Sequence, residues 1–244
     1  MQIPIFRPMK THKIIFIFPA LLAFASASAA VIDGSGITAT ASNEWTSDYQ
    51  AAYTVDGSGL NATTGEHTNG GAGAVWMSGE AADVAWIQWD LGDLYVLDSV
   101  HVWNMNMDNQ AGSGIWQTDI WVSSLTSPGD PEGAGASNWT RIGTGSEFPV
   151  APFTGTQTTS DGYTGFDLET EVGNILPSTA VRFVRFEIIS KWAENPDSNA
   201  TNQFGRQTDF PGLSEIQFTA VPEPSSFALI AGFLGLTWIM LRRR

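Results

Sequence analysis

The 244-residue sequence contains no cysteine, which excludes a disulfide framework, a thiol nucleophile and any thiolate metal site. Basic residues are scarce. Between residues 31 and 220 only Arg141, Arg182, Arg185, Lys191 and Arg206 are basic, against 24 Asp and Glu, a formal charge of −19. Such a surface repels phosphate backbones and excludes nucleic acid as a partner. Sustained 3.6-residue periodicity is absent before the last 24 residues, which argues against a helical domain. There is no Gly-x-Ser-x-Gly elbow, His-Glu-x-x-His pair or phosphate loop, and beyond residue 30 the only histidines are His67 and His101. No nucleophile–base constellation is visible, so a non-enzymatic role is expected. Tryptophan and glycine, by contrast, are plentiful at ten and 25 residues, a composition of packed, turn-rich structure and not of disorder.

Both ends read as addresses. Arg7, Lys10 and Lys13 precede a twelve-residue apolar run, Ile14 to Ala25, and then the small residues up to Ala30. Basic, apolar, then small is the secretory pattern, so residues 1–30 are expected to be a signal peptide cleaved near Ala29 or Ala30. The tail carries Val221-Pro222-Glu223-Pro224, an apolar segment over 227–241 and the basic end Arg242-Arg243-Arg244. This three-part tail resembles the PEP-CTERM sorting signal. The resemblance implies recognition by an exosortase in the inner membrane of a Gram-negative bacterium, transient anchoring by one short transmembrane helix, and delivery to the cell surface or extracellular matrix. The two prolines keep the backbone ahead of the helix extended, as a protease requires.

The 190 residues between the two addresses suit one domain. Their apolar pattern is short and alternating. Ile87, Trp89 and Leu91 share a face, as do Val100 and Val102, Ile120 and Val122, and Val184, Phe186 and Ile188. Ile37–Ser42 and Leu213–Ala220 open and close the series, with Gly/Pro/Asn/Asp clusters between strands at 57–75, 104–114, 127–138 and 193–212. This predicts an all-β sandwich or barrel over residues 31–220. In order along the chain, Ala52-Tyr-Thr-Val-Asp56-Gly57, Trp76, Trp86-Ile-Gln-Trp-Asp-Leu-Gly92, Val100-His-Val-Trp-Asn104, Ile120-Trp-Val-Ser123, Phe183-Val-Arg-Phe186 and Gly212-Leu-Ser-Glu-Ile-Gln-Phe218 resemble a discoidin (coagulation-factor type C) domain. That resemblance implies a galactose-binding-like jelly-roll β-sandwich that carries its ligand on loops.

In bacterial discoidin-like modules the matching Asp and Glu meet at one structural Ca2+. The resemblance therefore implies a metal site at Asp56 and Glu215, with Asn61 or Thr63 as a further ligand, and hard cations do take carboxylate and carbonyl oxygens from irregular loops. Sugar recognition joins aromatic platforms to planar polar groups. Trp45 and Trp192 lie in loops, Asn104 and Asn106 follow a strand, and Asn195 lies in the loop that Trp192 opens. These five are the candidate ligand residues, on the expectation that their loops meet at one rim. His67 is expected to be solvated in its loop and His101 half-buried in its strand. Arg185 is expected to pair with Asp90, because Glu187 looks too close along the same strand. The function expected is an exported carbohydrate- or exopolysaccharide-binding module; the second reading is a structural surface or matrix protein without a specific glycan, and a glycan-active enzyme is a distant third.

Overall fold

The computed structural model describes residues 29–131, 133–154, 158–159, 162–198, 210–221 and 226–242. Expectations for residues 1–28, Pro222, Glu223, Pro224, Arg243 and Arg244 lie outside these. The strands, in chain order, are β1 (Ala30–Val31), β2 (Thr38–Ala41), β3 (Trp76–Met77), β4 (Trp86–Tyr95), β5 (Leu97–Asn104), β6 (Ile115–Ser123), β7 (Thr140–Glu147), β8 (Phe153–Thr154), β9 (Thr158–Thr159), β10 (Phe166–Asp167), β11 (Val181–Lys191) and β12 (Gly212–Ala220). One sheet runs β1-β12-β5-β10 with β3 also on β12, the other β2-β4-β11-β6-β7, and β8 pairs with β9. Within both large sheets the pairing is antiparallel.

The two sheets close on one another as a β-sandwich. The alternation read from the sequence buries Ile87, Trp89 and Leu91 of β4, Val184, Phe186 and Ile188 of β11, and Val100 and Val102 of β5 in one core. Trp89 spans the layers, its ring 4.9 Å from Phe186 in its own sheet and 5.9 Å from Phe218 in the other. Its indole N–H is not wasted in the core: it donates to Thr54 Oγ1 at 2.9 Å. Phe148 bridges in the same way, between Phe166 and Phe186. Edge-to-face aromatic contacts of this kind add about 0.5–1.5 kcal/mol each beyond area burial.

The sequence pattern missed β7 because Thr140-Arg-Ile-Gly-Thr-Gly-Ser-Glu147 has no apolar alternation; as an edge strand it needs none. The expected Arg185–Asp90 pair does not form. A register shift lies between Val181 and Phe183, and Asp90 stands opposite Phe183 while Arg185 stands opposite Gln88. Arg182 is thereby delivered to Asp90, Nε to Oδ1 at 2.7 Å and Nη2 to Oδ2 at 2.9 Å. Arg185 instead bonds Glu187 at 3.0 Å, approaches Asp130 at 3.5 Å and lies 4.0 Å above the Trp86 ring. Residues two apart in a strand share a face, so Glu187 is well placed after all.

The tail segment does become a helix, α2 (Ser226–Arg242). No helix among the described residues is long and apolar enough to cross a membrane. Its seventeen residues, two more than the expected segment over 227–241, reach ~25 Å at about 1.5 Å each, short of a ~30 Å hydrocarbon core, so the expected single span is not found among the described residues.

Candidate functional site

Three loops meet at one rim of the sandwich. Trp45 N–H donates to Met77 O at 2.9 Å; Met77 pairs with Gly212; Gly212 bridges Gly114; and Gly114 O accepts from Trp192 N–H at 2.9 Å. This backbone relay lines up the loops that carry Trp45, Asn109 and Trp192. On the Trp45 side it displays half-buried aromatic surface. The Trp45 ring is 5.2 Å from Tyr49 and stacks 5.7 Å from Phe210 at 25°. Val75, Met77 and Met105 form the floor beneath, and Met107 packs alongside. Asn69 donates to Asp108 at 3.2 Å beside this group. Asn109, at φ 62°, is the one non-glycine residue in the left-handed region among those described. Such backbone strain gathers at functional loops.

The other expected ligand residues turn inward. Asn104 is fully buried and bonds only backbone, donating to Ile115 O and Pro149 O and accepting from Met105 N–H and Ile115 N–H. Asn106, also fully buried, donates to His67 O and Thr68 O, so it pins the 67–68 loop to the end of β5. Trp192 is half-buried; its indole N–H donates to Phe148 O at 2.9 Å and its ring lies 6.2 Å from Trp116. Asn195 is buried, and its side chain caps Asp197 N–H in its own turn. Asn104, Asn106, Trp192 and Asn195 are thus supports of the rim. Asparagine at a strand end looks alike in sequence whether it faces in or out. Tyr49, Met107 and Phe210 were missed because loop convergence has no period to read; the one available signal was their loop position beside Trp45, Asn106 and Pro211.

His67 contradicts the expectation of a solvated residue. It is fully buried, its Nδ1–H meets Thr68 O at 2.6 Å, and its backbone pairs with Tyr163. Burial lowers its pKa and holds it neutral. His101 is half-buried, as its strand position suggested.

Asp56 and Glu215 line one cavity of about 420 Å3. Gly57, at φ 76°, turns the loop so that its N–H reaches Glu215 Oε1 at 3.1 Å. Glu215 is only 3 % exposed, and its Oε2 has no hydrogen-bond partner. Burial first, and the Asp56 charge after it, push the Glu215 carboxyl up to about 9 against the lowering effect of Gly57 N–H. Asp56 itself receives Ser58 N–H at 2.8 Å. Ser58 Oγ is buried nearby without a partner. An orphaned carboxylate oxygen beside a second carboxylate suits a hard cation. Among the described residues no group of three or more His, Cys, Asp and Glu converges, so backbone and hydroxyl oxygens would complete such a shell. Asn61 differs from its expected role: its Oδ1 receives Thr63 N–H and Thr64 N–H in its own turn.

No family model matches the chain, and no curated protein matches it. Solved structures similar to it include the family 32 carbohydrate-binding module of Clostridium perfringens NanJ in complex with galactose, 13 % identical over 79 % of this chain and 99 % of that one, with a TM-score of 0.45. A further Clostridium perfringens module, solved with GalNAc-β-1,3-galactose, is 13 % identical over 78 % of this chain and 99 % of its own, at a TM-score of 0.46. Chitosan-binding module 1 of a Paenibacillus chitosanase/glucanase is 19 % identical over 75 % and 94 %, at 0.41. The sandwich described above rests on its own sheets and register.

Proposed function

We propose that this chain is an exported glycan-binding module whose ligand rests on the Trp45/Tyr49/Phe210 rim. The observation that carries the reading is the half-buried aromatic group assembled from separate loops and edged by the Asn69–Asp108 pair. The C–H face of a sugar packs on such rings, while amide and carboxylate take its hydroxyls. A surface of −19 charge between 31 and 220 favours neutral or amino-substituted sugars over uronates and sulfates. Trp45→Ala should weaken binding on a glycan array, and in calorimetry with the best array hit, by about tenfold or more. Unchanged affinity in that variant would reject the rim as the site, whereas a parent protein that binds no glycan on the array would favour a purely structural surface protein.

Asp56 and Glu215 are proposed to hold a structural Ca2+ that ties the 56–66 loop to β12. The cation would supply fixed positive charge where two carboxylates meet, a stapling role in a chain without disulfides.

The tail is proposed to be an exosortase-sorted signal. The support is sequence alone: Val221-Pro222-Glu223-Pro224, an apolar segment and Arg242-Arg243-Arg244, together with the basic–apolar–small N-terminus. On this reading the protein associates transiently with the inner membrane and then reaches the cell surface or matrix, where exopolysaccharide is the glycan at hand. Mass spectrometry of the exported protein should find an N-terminus near Ala30 or Val31 and no peptide from Phe227–Arg244; recovery of that C-terminal peptide would overturn the processing claim.

A further inference from the structure

A second groove lies on the outer face of the β1-β12-β5-β10 sheet, away from the rim. Its volume is about 500 Å3. Ser99, His101 and Trp103 of β5 and Gln217 and Thr219 of β12 form its floor, alternate residues and hence one face. The register sets Gln217 opposite His101 and Thr219 opposite Ser99.

Both walls are fastened to this floor. Trp103 Nε1–H donates to Gly65 O at 3.1 Å and holds the 60–65 loop as one wall. His101 draws in the other, with Nδ1 2.7 Å from Asp167 Oδ1 and Nε2 2.7 Å from Thr164 O. The one ring thus ties both Asp167 and the Thr164 backbone to the floor. Gly165 permits the close approach: at φ +69°, a Cβ there would stand 2.6 Å from Val102 O and 2.8 Å from His101 Nε2.

Asp167 is therefore bonded to His101, and no other carboxylate lines the groove. In so acidic a chain that is a local exception. What the floor leaves unused is the Gln217 amide and the Ser99 and Thr219 hydroxyls. All three are half-buried, and none has a side-chain hydrogen-bond partner among the described residues. A cleft whose one carboxylate is already bonded to His101, with a planar amide and two hydroxyl groups free on its floor, matches a neutral polyhydroxylated chain. We infer that this groove is a second saccharide site, so that one domain grips a glycan at two separate places. It shares the ligand class proposed for the rim and rests on that reading only for the identity of the sugar.

The test is indole N–H NMR of the 15N-tryptophan-labelled full chain, titrated with galactose and separately with N-acetylglucosamine. Trp103 reports the groove and Trp45 the rim. At least one sugar should shift the Trp103 signal saturably. Gln217→Leu should weaken that shift about tenfold, the loss expected when a sugar hydroxyl forfeits its amide partner, while leaving the Trp45 shift in place. Trp45→Ala should leave the Trp103 shift in place. A moving Trp45 signal with Trp103 still would overturn the groove and keep the rim. Neither signal moving with either sugar would overturn both. A Trp103 shift indifferent to Gln217→Leu would also overturn the inference, because the free amide is what defines the site.

Discussion

In calcium-free solution the melting temperature should fall as pH is raised from about 4.5 toward about 9, and Glu215→Gln should remove most of that fall. The folded carboxyl keeps its proton up to about 9, whereas in the unfolded chain it ionises near its ordinary 4.5. Below both values the group is protonated in either state and contributes nothing to the difference. Between them the unfolded chain releases a proton that the folded chain retains, so stability declines with rising pH. At neutral pH the cost is about 3 kcal/mol, at ~1.36 kcal/mol per pH unit. Glutamine keeps the shape without the ionisation, so the variant should be more stable than the parent at neutral pH when chelator is present.

Calcium should reverse this ranking. A cation between Asp56 and Glu215 takes the place of the proton and favours the ionised carboxylate, so parent stability should then rise with pH. A ligand of the folded state alone adds about 2.7 kcal/mol at a hundredfold excess over Kd. Glu215→Gln and Asp56→Ala should lose most of that increment. Coincident parent melting curves with calcium and with chelator, across the whole pH range, would sink the metal site; a flat pH profile in chelator would sink the buried-acid account.

The same residue shows how much of this molecule is legible in sequence. Glu215 was visible by its place in Gly212-Leu-Ser-Glu-Ile-Gln-Phe218, but its burial was not, because β12 is buried along both faces from Gly212 to Ile216 and only then alternates. Where one face meets the core and the other meets water, the pattern was sufficient: β4 alternates cleanly from Trp86 to Leu91. Polar partnerships were legible only as far as the register was regular. One irregularity between Val181 and Phe183 moved the Asp90 partner from Arg185 to Arg182. The rim was half legible. Trp45 stood out as a loop aromatic, while Phe210 joins it only because β12 begins two residues later and pairs with β3, a long-range event with no local signature.

Asn104→Ala should lower stability by about 3–4 kcal/mol, although a strand-end asparagine reads as a ligand residue from sequence alone. Its amide is saturated. The two N–H groups reach Ile115 O at 2.8 Å and Pro149 O at 2.7 Å, and the oxygen receives Met105 N–H and Ile115 N–H, both at 2.9 Å. One fully buried side chain thus stitches the end of β5 to the start of β6 and to the segment after β7. Alanine removes the partner and leaves those backbone groups in a site too enclosed for bulk water, at about 1–3 kcal/mol for each group left unpaired. Asn104→Asp should be no milder, since a carboxylate cannot donate to the two carbonyls and would bring a buried charge with it. For a domain of this size the alanine loss corresponds to a fall of on the order of ten degrees in Tm. Urea unfolding should show a lower midpoint with an unchanged slope, because the surface exposed on unfolding is the same. Glycan affinity measured well below the new midpoint should be retained, since the side chain has no atom left to offer a sugar. An unchanged urea midpoint with lost glycan affinity would return Asn104 to the ligand site and refute its reading as a support.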